Sequence, residues 1–373
     1  MMNNRTKSYA RLALVPALSI LLALLVASIL IVLSGLAGAE KKVNLLLPLI
    51  AYRSLLVGAF GNFKGIANTI VAATPLMLTG LAVGVGLKAG LFNIGATGQV
   101  LMGGFAAAWV GVLVSHTSPW VAIPAAMLAG MLAGALAGFI PGFLKAFTGA
   151  HEVVTTIMLN AIIQLTISGL VNDVFRAPGF SFARTAPVGS AMLTGVGGTT
   201  LHIGVLFAFL CIPLSYWLLW RTTTGFEIRA VGANPTAALY AGMKPRQMMI
   251  LTMSLCGAFA GLAGAIEILR LGYYPAVFGT NIGFDGITVA LLGQASPVGI
   301  MFSALLLGAM RAGAPLMQIQ ARIPVEIIDV IQGVILIFLA AEVVVRRIFR
   351  LRTVQGAGEL QTITRTYGEK VAG

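Results

Sequence analysis

RTTTGFEIRAVGANPTAALYAGMKPRQ, residues Arg221–Gln247, is the one long polar segment in a chain otherwise built of apolar runs. It carries four basic residues, Arg221, Arg229, Lys244 and Arg246, and one acid, Glu227. Its second half has the marks of a short capped helix: Asn234 at the N-cap, Pro235 at the first helical position and Gly242 just past the end. A helix this short is marginal alone in water and needs a surface to pack on. Apolar stretches of membrane length flank the segment on both sides, so it reads as a docking element for a cytosolic partner.

The composition around it narrows the class. The chain has 373 residues, 58% hydrophobic and 9% charged, with a mean hydropathy of +0.96. Soluble domains carry about 25% charged residues, which excludes an ordinary globular protein. Repeated apolar stretches of about 20 residues point instead to a polytopic helical membrane protein. Its 45 glycines suit close helix packing in lipid. The net charge of +13 sits at helix ends, which indicates membrane orientation rather than nucleic-acid binding. Cys211 and Cys256 both lie in apolar segments, so no disulfide framework, metal site or cofactor is indicated. No Gly-Lys dipeptide occurs, so there is no Walker A loop, and no other motif supplies a catalytic residue.

Read in order, the apolar run Leu12–Leu36 is too long for the roughly 7–15 residues of a signal h-region and is expected to be a retained first span. The stretch 43–60, interrupted by Pro48 and Arg53, is expected as an interfacial helix on the outer surface. Further spans are expected at 66–87, 98–115, from the Ser118-Pro119 turn to about 147, at 152–171 and at 203–220. After the polar segment come 248–268, 286–292, 298–315 and 325–345, the second of these borrowing residues from 279–285. The whole is expected to be a single membrane domain, 1–373, ending in a basic tail, 346–373. Ten spans place both termini on one side, and the positive-inside rule makes that side the cytoplasm: fifteen basic residues fall inside and eight outside, with Arg311 within a span.

The chain also repeats itself. Asn93-Ile94-Gly95-Ala96-Thr97-Gly98 recurs as Asn281-Ile282-Gly283-Phe284-Asp285-Gly286, 188 residues later. A Gly-Leu-Ala run precedes each copy (80–82, 261–263), and a Ser-Pro turn follows each (Ser118-Pro119, Ser296-Pro297). One copy starts on a span entering the cytoplasm and the other on a span leaving it. The expected fold is therefore all-α and polytopic, about ten transmembrane helices in two inverted repeats (66–171 and 248–345), with a solute pathway at their interface. Polar residues inside spans are costly and face a cavity or another helix. The pathway candidates are Asn93, Gln99, Thr155, Thr156, Asn160, Asn281 and Asp285, with Gln164, Glu267, Thr288 and Gln294 as further intramembrane polar positions. Thr156 and Asn160, four apart, share a helix face. An ion-coupled carrier of a small polar solute would use Glu267 and Asp285; the basic polar segment argues for the docked arrangement instead.

Several segments carry a resemblance: GLKAGLFNIGATGQVLMGG (86–104), HEVVTTIMLNAI (151–162), TTGFEIRAVGANPTAALYAGM (223–243), GAFAGLAGAIE (257–267) and GFDGITVALLGQASPVGI (283–300). Together they resemble permease subunits of bacterial ABC importers, in the nucleoside and simple-sugar branch of the group that includes ribose and branched-chain amino acid permeases. That resemblance implies an importer in the bacterial inner membrane that translocates nucleosides or related sugars. It implies a tandem cytosolic ABC ATPase that uses the ATP, a second permease chain as a heterodimer partner and an extracytoplasmic substrate-binding lipoprotein. It also implies that Phe226–Gly242 holds the coupling helix. There Gly225 and Gly232 would turn the backbone, Glu227 and Arg229 would make ionic contacts, Asn234 and Pro235 would start the helix, and Ala237, Ala238 and Tyr240 would fill a groove on the ATPase. Thr97, where the family usually has an acid, and Leu239, where it usually has Arg, depart from the pattern.

Overall fold

The structure is a computed structural model, and it describes residues 18–33, 45–278 and 281–340. The ends of the expected first span and the basic tail 346–373 lie outside the described residues. Among the described residues the fold is helical, apart from one isolated bridge between Arg184 and Pro275.

The helices are α1 (Leu18–Leu33), α2 (Leu47–Phe60), α3 (Phe63–Lys88), α4 (Ala96–Leu113), α5 (Pro119–Thr148), α6 (Glu152–Asp173) and α7 (Ile203–Arg221). Then follow α8 (Thr223–Ala233), α9 (Pro235–Tyr240), α10 (Pro245–Leu271), α11 (Ile282–Leu292), α12 (Pro297–Ala321) and α13 (Ile327–Ala340). Seven are long and apolar enough to cross a membrane: α3, α4, α5, α6, α7, α10 and α12. The apolar helices α1, α2, α11 and α13 are shorter. At a rise of about 1.5 Å per residue, the 11 residues of α11 cover only about half a hydrocarbon core. α11 is thus a half-helix even though it takes in 282–285 of the segment expected to lengthen it; residues 279–280 lie outside the described residues.

Two compact units emerge, residues 63–309 and a smaller one formed by the residues before 63 and after 309. In the smaller unit α2 is a continuous helix. Pro48 stands in its first turn, where a missing N–H costs nothing, so it begins the helix rather than interrupting it. The Tyr52 hydroxyl donates to the Leu24 carbonyl at 2.7 Å, tying α2 to α1. The Ser54 hydroxyl donates to Gln320 Oε1 at 2.7 Å, tying it to the last turns of α12.

The larger unit is organised about α3. Within each helix's most apolar 18-residue window, 89% of α3 is buried against 67% of α10 and 11% of α6, which places α3 at the centre and α6 at the rim. Glycine sets the closeness of packing. Gly130, Gly134, Gly138 and Gly142 recur every four residues on α5 and lie along α10. A Cβ at Gly134 would be 2.3 Å from the Gly257 carbonyl oxygen, and one at Gly138 would be 2.2 Å from that of Met253. The two backbones are in direct contact, which gives helices dispersion energy where lipid removes the hydrophobic drive.

The two Gly-Leu-Ala runs do the same work at two places. A Cβ at Gly80 of α3 would lie 2.6 Å from Val289 of α11 and 2.9 Å from Ile300 of α12. For Gly261 of α10 the neighbours are Gly130 of α5, at 2.3 Å, and Gly134. Gly103 of α4 would in turn place a Cβ 2.3 Å from Gly261. The first helix of each sequence repeat therefore packs on the second and third helices of the other.

Candidate functional site

A largely buried connection, residues 89–95, joins α3 to α4. α3 ends at Lys88 because Gly90 turns left-handed (φ 69°), and the Leu91 N–H then closes back on the Gly86 carbonyl at 2.9 Å. The chain that follows is buried, with Leu91 and Asn93 at 2% and 0% exposure. Buried irregular backbone must find partners for its polar groups, and here side chains provide them. Asn93 and Gln99 form a reciprocal amide pair: Asn93 Nδ2 donates to Gln99 Oε1 at 2.9 Å, and Gln99 Nε2 donates to Asn93 Oδ1 at 3.1 Å. The same Asn93 oxygen accepts from the Gly95 N–H at 3.1 Å.

α6 completes the clamp. Thr156 and Asn160 do share a face, the one that also buries Ile163, Ile167 and Val171. Asn160 Oδ1 accepts from the Gly98 N–H at 2.8 Å while its Nδ2 donates to the Ile94 carbonyl at 3.0 Å. Thr156 packs beside Gly95, and its hydroxyl donates to the Glu152 carbonyl at 2.7 Å. Thr155 is half-buried and bonds only within its own helix. Glu152 itself, 2% exposed, is paired with Lys145 Nζ at 2.8 Å across the α5–α6 turn.

The second sequence repeat reaches the same place. Gly283 in the first turn of α11 lies against Thr97 in the first turn of α4, where an added Cβ would be 2.3 Å from the Thr97 nitrogen. Asp285 and Thr288 are buried on α11 at 8% and 4% exposure, whereas Asn281 is exposed at its N-cap. Of the pathway candidates, Asn93, Gln99, Thr156 and Asn160 are thus brought together, with the buried start of α11 beside them. Gln294 is apart, exposed in a left-handed turn at φ 53°. Glu267 lies near the end of α10, paired with Arg270, whose Nε donates to it at 3.3 Å.

The polar segment 221–247 holds two helices rather than one. α8, unforeseen in the sequence, starts at Thr222, whose hydroxyl accepts from the Gly225 N–H at 3.0 Å, and it buries Gly225, Ile228 and Val231 at a spacing of three. That spacing was the available signal. α9 is capped as expected: Asn234 Oδ1 accepts from the Ala237 N–H at 3.0 Å. It closes in a Schellman arrangement, with the Met243 N–H on the Ala238 carbonyl and the Gly242 N–H on that of Leu239, each at 3.0 Å, and Gly242 at φ 83°.

Three expectations for this segment need correction. Gly225 and Gly232 do not turn the backbone; they allow close approach, Gly225 to the Leu218 carbonyl and Gly232 to that of Lys88, where a Cβ would be 2.0 and 2.2 Å away. Arg229 is engaged at home, its Nε donating to the Leu219 carbonyl at 2.9 Å. Ala238 is 4% exposed, so it packs inward; the outward apolar surface is Phe226, Leu239 and Tyr240, the last 89% exposed.

On the opposite flank of the unit, the loop between α6 and α7 folds onto the chain leaving α10. The Val188 N–H donates to the Gly272 carbonyl and the Thr185 N–H to that of Tyr274, both at 2.9 Å. The Arg184 guanidinium lies 3.3 Å above the Phe180 ring and 4.4 Å from that of Tyr273, a cation–π contact. The sequence reading assigned no role to Tyr274, although an aromatic pair followed by Pro275 just past a helix end marks a structured turn.

A model of the branched-chain amino acid transport system permease component matches residues 65–340. The chain belongs to that permease family. This permease is 38% identical to the guanosine ABC transporter permease protein NupP of Bacillus subtilis (strain 168), over 89% of its own length and 94% of the relative's. It is 34% identical to the nucleoside ABC transporter permease protein NupB of Lactococcus lactis subsp. cremoris (strain MG1363), over 92% and 94%. A third relative, the glucose ABC transporter permease protein TsgB13 of Haloferax volcanii, is 33% identical over 87% of this permease and 86% of its own length. No solved structure matches the permease.

Proposed function

We propose that this permease is the membrane-spanning part of an ATP-driven importer that carries nucleosides, or related simple sugars, inward across the bacterial inner membrane. Similarity over nearly the full length to two permeases named for guanosine and nucleosides carries the substrate class; the glucose relative keeps simple sugars within it. ATP would be used by a separate tandem ATPase, solute would be delivered by an extracytoplasmic binding lipoprotein, and a second permease chain would complete a heterodimer. α8 and α9 form the coupling element in this reading, presenting Phe226, Leu239 and Tyr240 to the ATPase. What supports it is the contact of Gly232 with Lys88, which joins α8 to the turn that opens the Asn93–Gly98 connection. Movement pressed onto α8 would reach the clamped break and bias the helices between two arrangements.

The two sequence repeats are read as inverted, within a ten-span topology and with both termini cytoplasmic. The exchanged packing of α3 and α10 supports this, as does the meeting of Thr97 with Gly283. Thr97 is buried, so labelling has to use exposed sites. In a background lacking Cys211 and Cys256, Thr236→Cys is expected to react only from the cytoplasm and Thr194→Cys only from outside. Both reacting from one side would reject the topology.

The function is tested in proteoliposomes holding the whole importer, supplied with guanosine, cytidine, ribose or glucose. Nucleoside uptake that needs both ATP and the binding protein is expected; uptake driven by an ion gradient without ATP would restore the ion-coupled reading. In the same system Tyr240→Ala is expected to insert and melt as the parent does but to weaken ATPase association. Ala238→Glu is expected to disrupt α9 itself.

A further inference from the structure

Between α4, α6 and the chain leaving α10 lies a cleft of about 50 Å³, walled by Leu101, Gln164, Ile167, Ser168, Tyr274 and Phe278 among others. Tyr274 is held there by backbone bonds, its N–H donating to Thr185 Oγ1 at 3.0 Å and its carbonyl accepting from the Thr185 N–H at 2.9 Å. Its ring meets that of Phe105 nearly edge-on, with centroids 5.8 Å apart, and lies 5.5 Å from that of Phe278. One wall is therefore aromatic and fixed. α6 contributes Gln164 and Ser168, four apart and on one face, a turn beyond Asn160.

Among the described residues, no protein hydrogen bond engages the Gln164 amide or the hydroxyls of Ser168 and Tyr274. Gln164 is exposed and Ser168 half-buried, so both side chains are open to a solute, and with the Tyr274 hydroxyl they set three uncommitted polar groups around one aromatic cleft.

We propose that the cleft receives the base edge of a nucleoside in transit, with Gln164 reading that edge and the Tyr274–Phe278 wall packing against the base. The proposal rests on the nucleoside reading above. Size decides how much of the solute enters: sites that enclose a drug-sized ligand run to about 300–1,000 Å³, so a cleft of about 50 Å³ admits one edge and leaves the sugar outside. Chemistry decides which edge. A primary amide offers a donor and an acceptor side by side, the pattern that matches the coplanar groups of a base.

The test uses the whole importer in proteoliposomes with labelled guanosine and cytidine. Gln164→Leu is expected to lower uptake of both about tenfold, the loss of one well-placed hydrogen-bonding group. ATP hydrolysis stimulated by loaded binding protein and the melting temperature should stay at parental values, since Gln164 is exposed and its side chain bonds to no described residue. Phe278→Leu, which keeps apolar bulk but removes the ring, is expected to shift uptake in the same direction. Parental uptake by both variants overturns the cleft and leaves the nucleoside reading standing. Uptake and stimulated hydrolysis falling together, or a lowered melting temperature, gives these residues a structural role and also overturns it. A parental importer that carries neither nucleoside overturns both readings.

Discussion

Gly232 rests directly on Lys88: a Cβ on the glycine would lie 2.2 Å from the lysine's carbonyl oxygen and 2.9 Å from the Ala89 Cα. The last turn of α8 thereby bears on the turn that ends α3, a few residues before the amide pair at Asn93. Gly232→Ala must push that turn away, because a Cβ never sits so close to backbone. The expected result is a membrane-inserted protein whose ATPase still hydrolyses ATP but whose uptake per ATP falls. Parental uptake per ATP in this variant would remove the contact from the coupling route.

The Asn93–Gln99 pair predicts a non-additive cycle. Asn93→Leu leaves the Gln99 amide buried without its partner, and Gln99→Leu does the converse; each is expected to cost about 1–3 kcal/mol. The double replacement should cost clearly less than the two single losses added together, because no side-chain amide is then stranded and only the Gly95 N–H loses its acceptor. Thermal unfolding of the four proteins in detergent measures the cycle, and strict additivity would mean that the pair is not the unit described.

Asn160 tests clamp against pathway. Its side chain is spent on two backbone groups, the Gly98 N–H and the Ile94 carbonyl. Asn160→Ala should therefore lower stability by about 1–3 kcal/mol, since both groups lose their partner. An unchanged melting temperature with abolished uptake would instead make Asn160 a solute contact.

His202, just ahead of α7, is 5% exposed, and neither ring nitrogen has a hydrogen-bond partner among the described residues. Burial, helped by Arg270 and opposed by Glu267, pushes its pKa below the ordinary 6.5. The folded protein then binds fewer protons here than the unfolded chain. The stabilising contribution is complete above pH 6.5 and is lost as pH falls from there through the folded pKa. Melting temperatures measured across that range should drop towards acid, and His202→Leu should flatten this part of the profile; an unchanged slope would refute the assignment.

How much of this could be read from residues alone differs by feature. The helical class, most helix positions, the α9 cap and the shared face of Thr156 and Asn160 were legible, because hydropathy, capping chemistry and the 3.6-residue period are local properties. Hydrophobic runs that any lipid or helix could cover fix no partner, and there the sequence was silent. It placed Ala238 on an outer surface that the fold turns inward, and it made turn residues of Gly225 and Gly232 when their role is to let two backbones touch.

The order of apolar and polar runs by itself determined a helical membrane chain, and it showed the paired Asn-Ile-Gly segments as a repeat of sequence. Only the tertiary structure decided that Asn93 pairs with Gln99, that Asn160 bridges Ile94 and Gly98, and that Gln164 shares a cleft with Tyr274. Those relations join positions up to 110 residues apart. They depend on how closely α4, α6 and α10 pack, and that distance is set by which glycines meet across helices, a matter of three-dimensional register that no local pattern encodes.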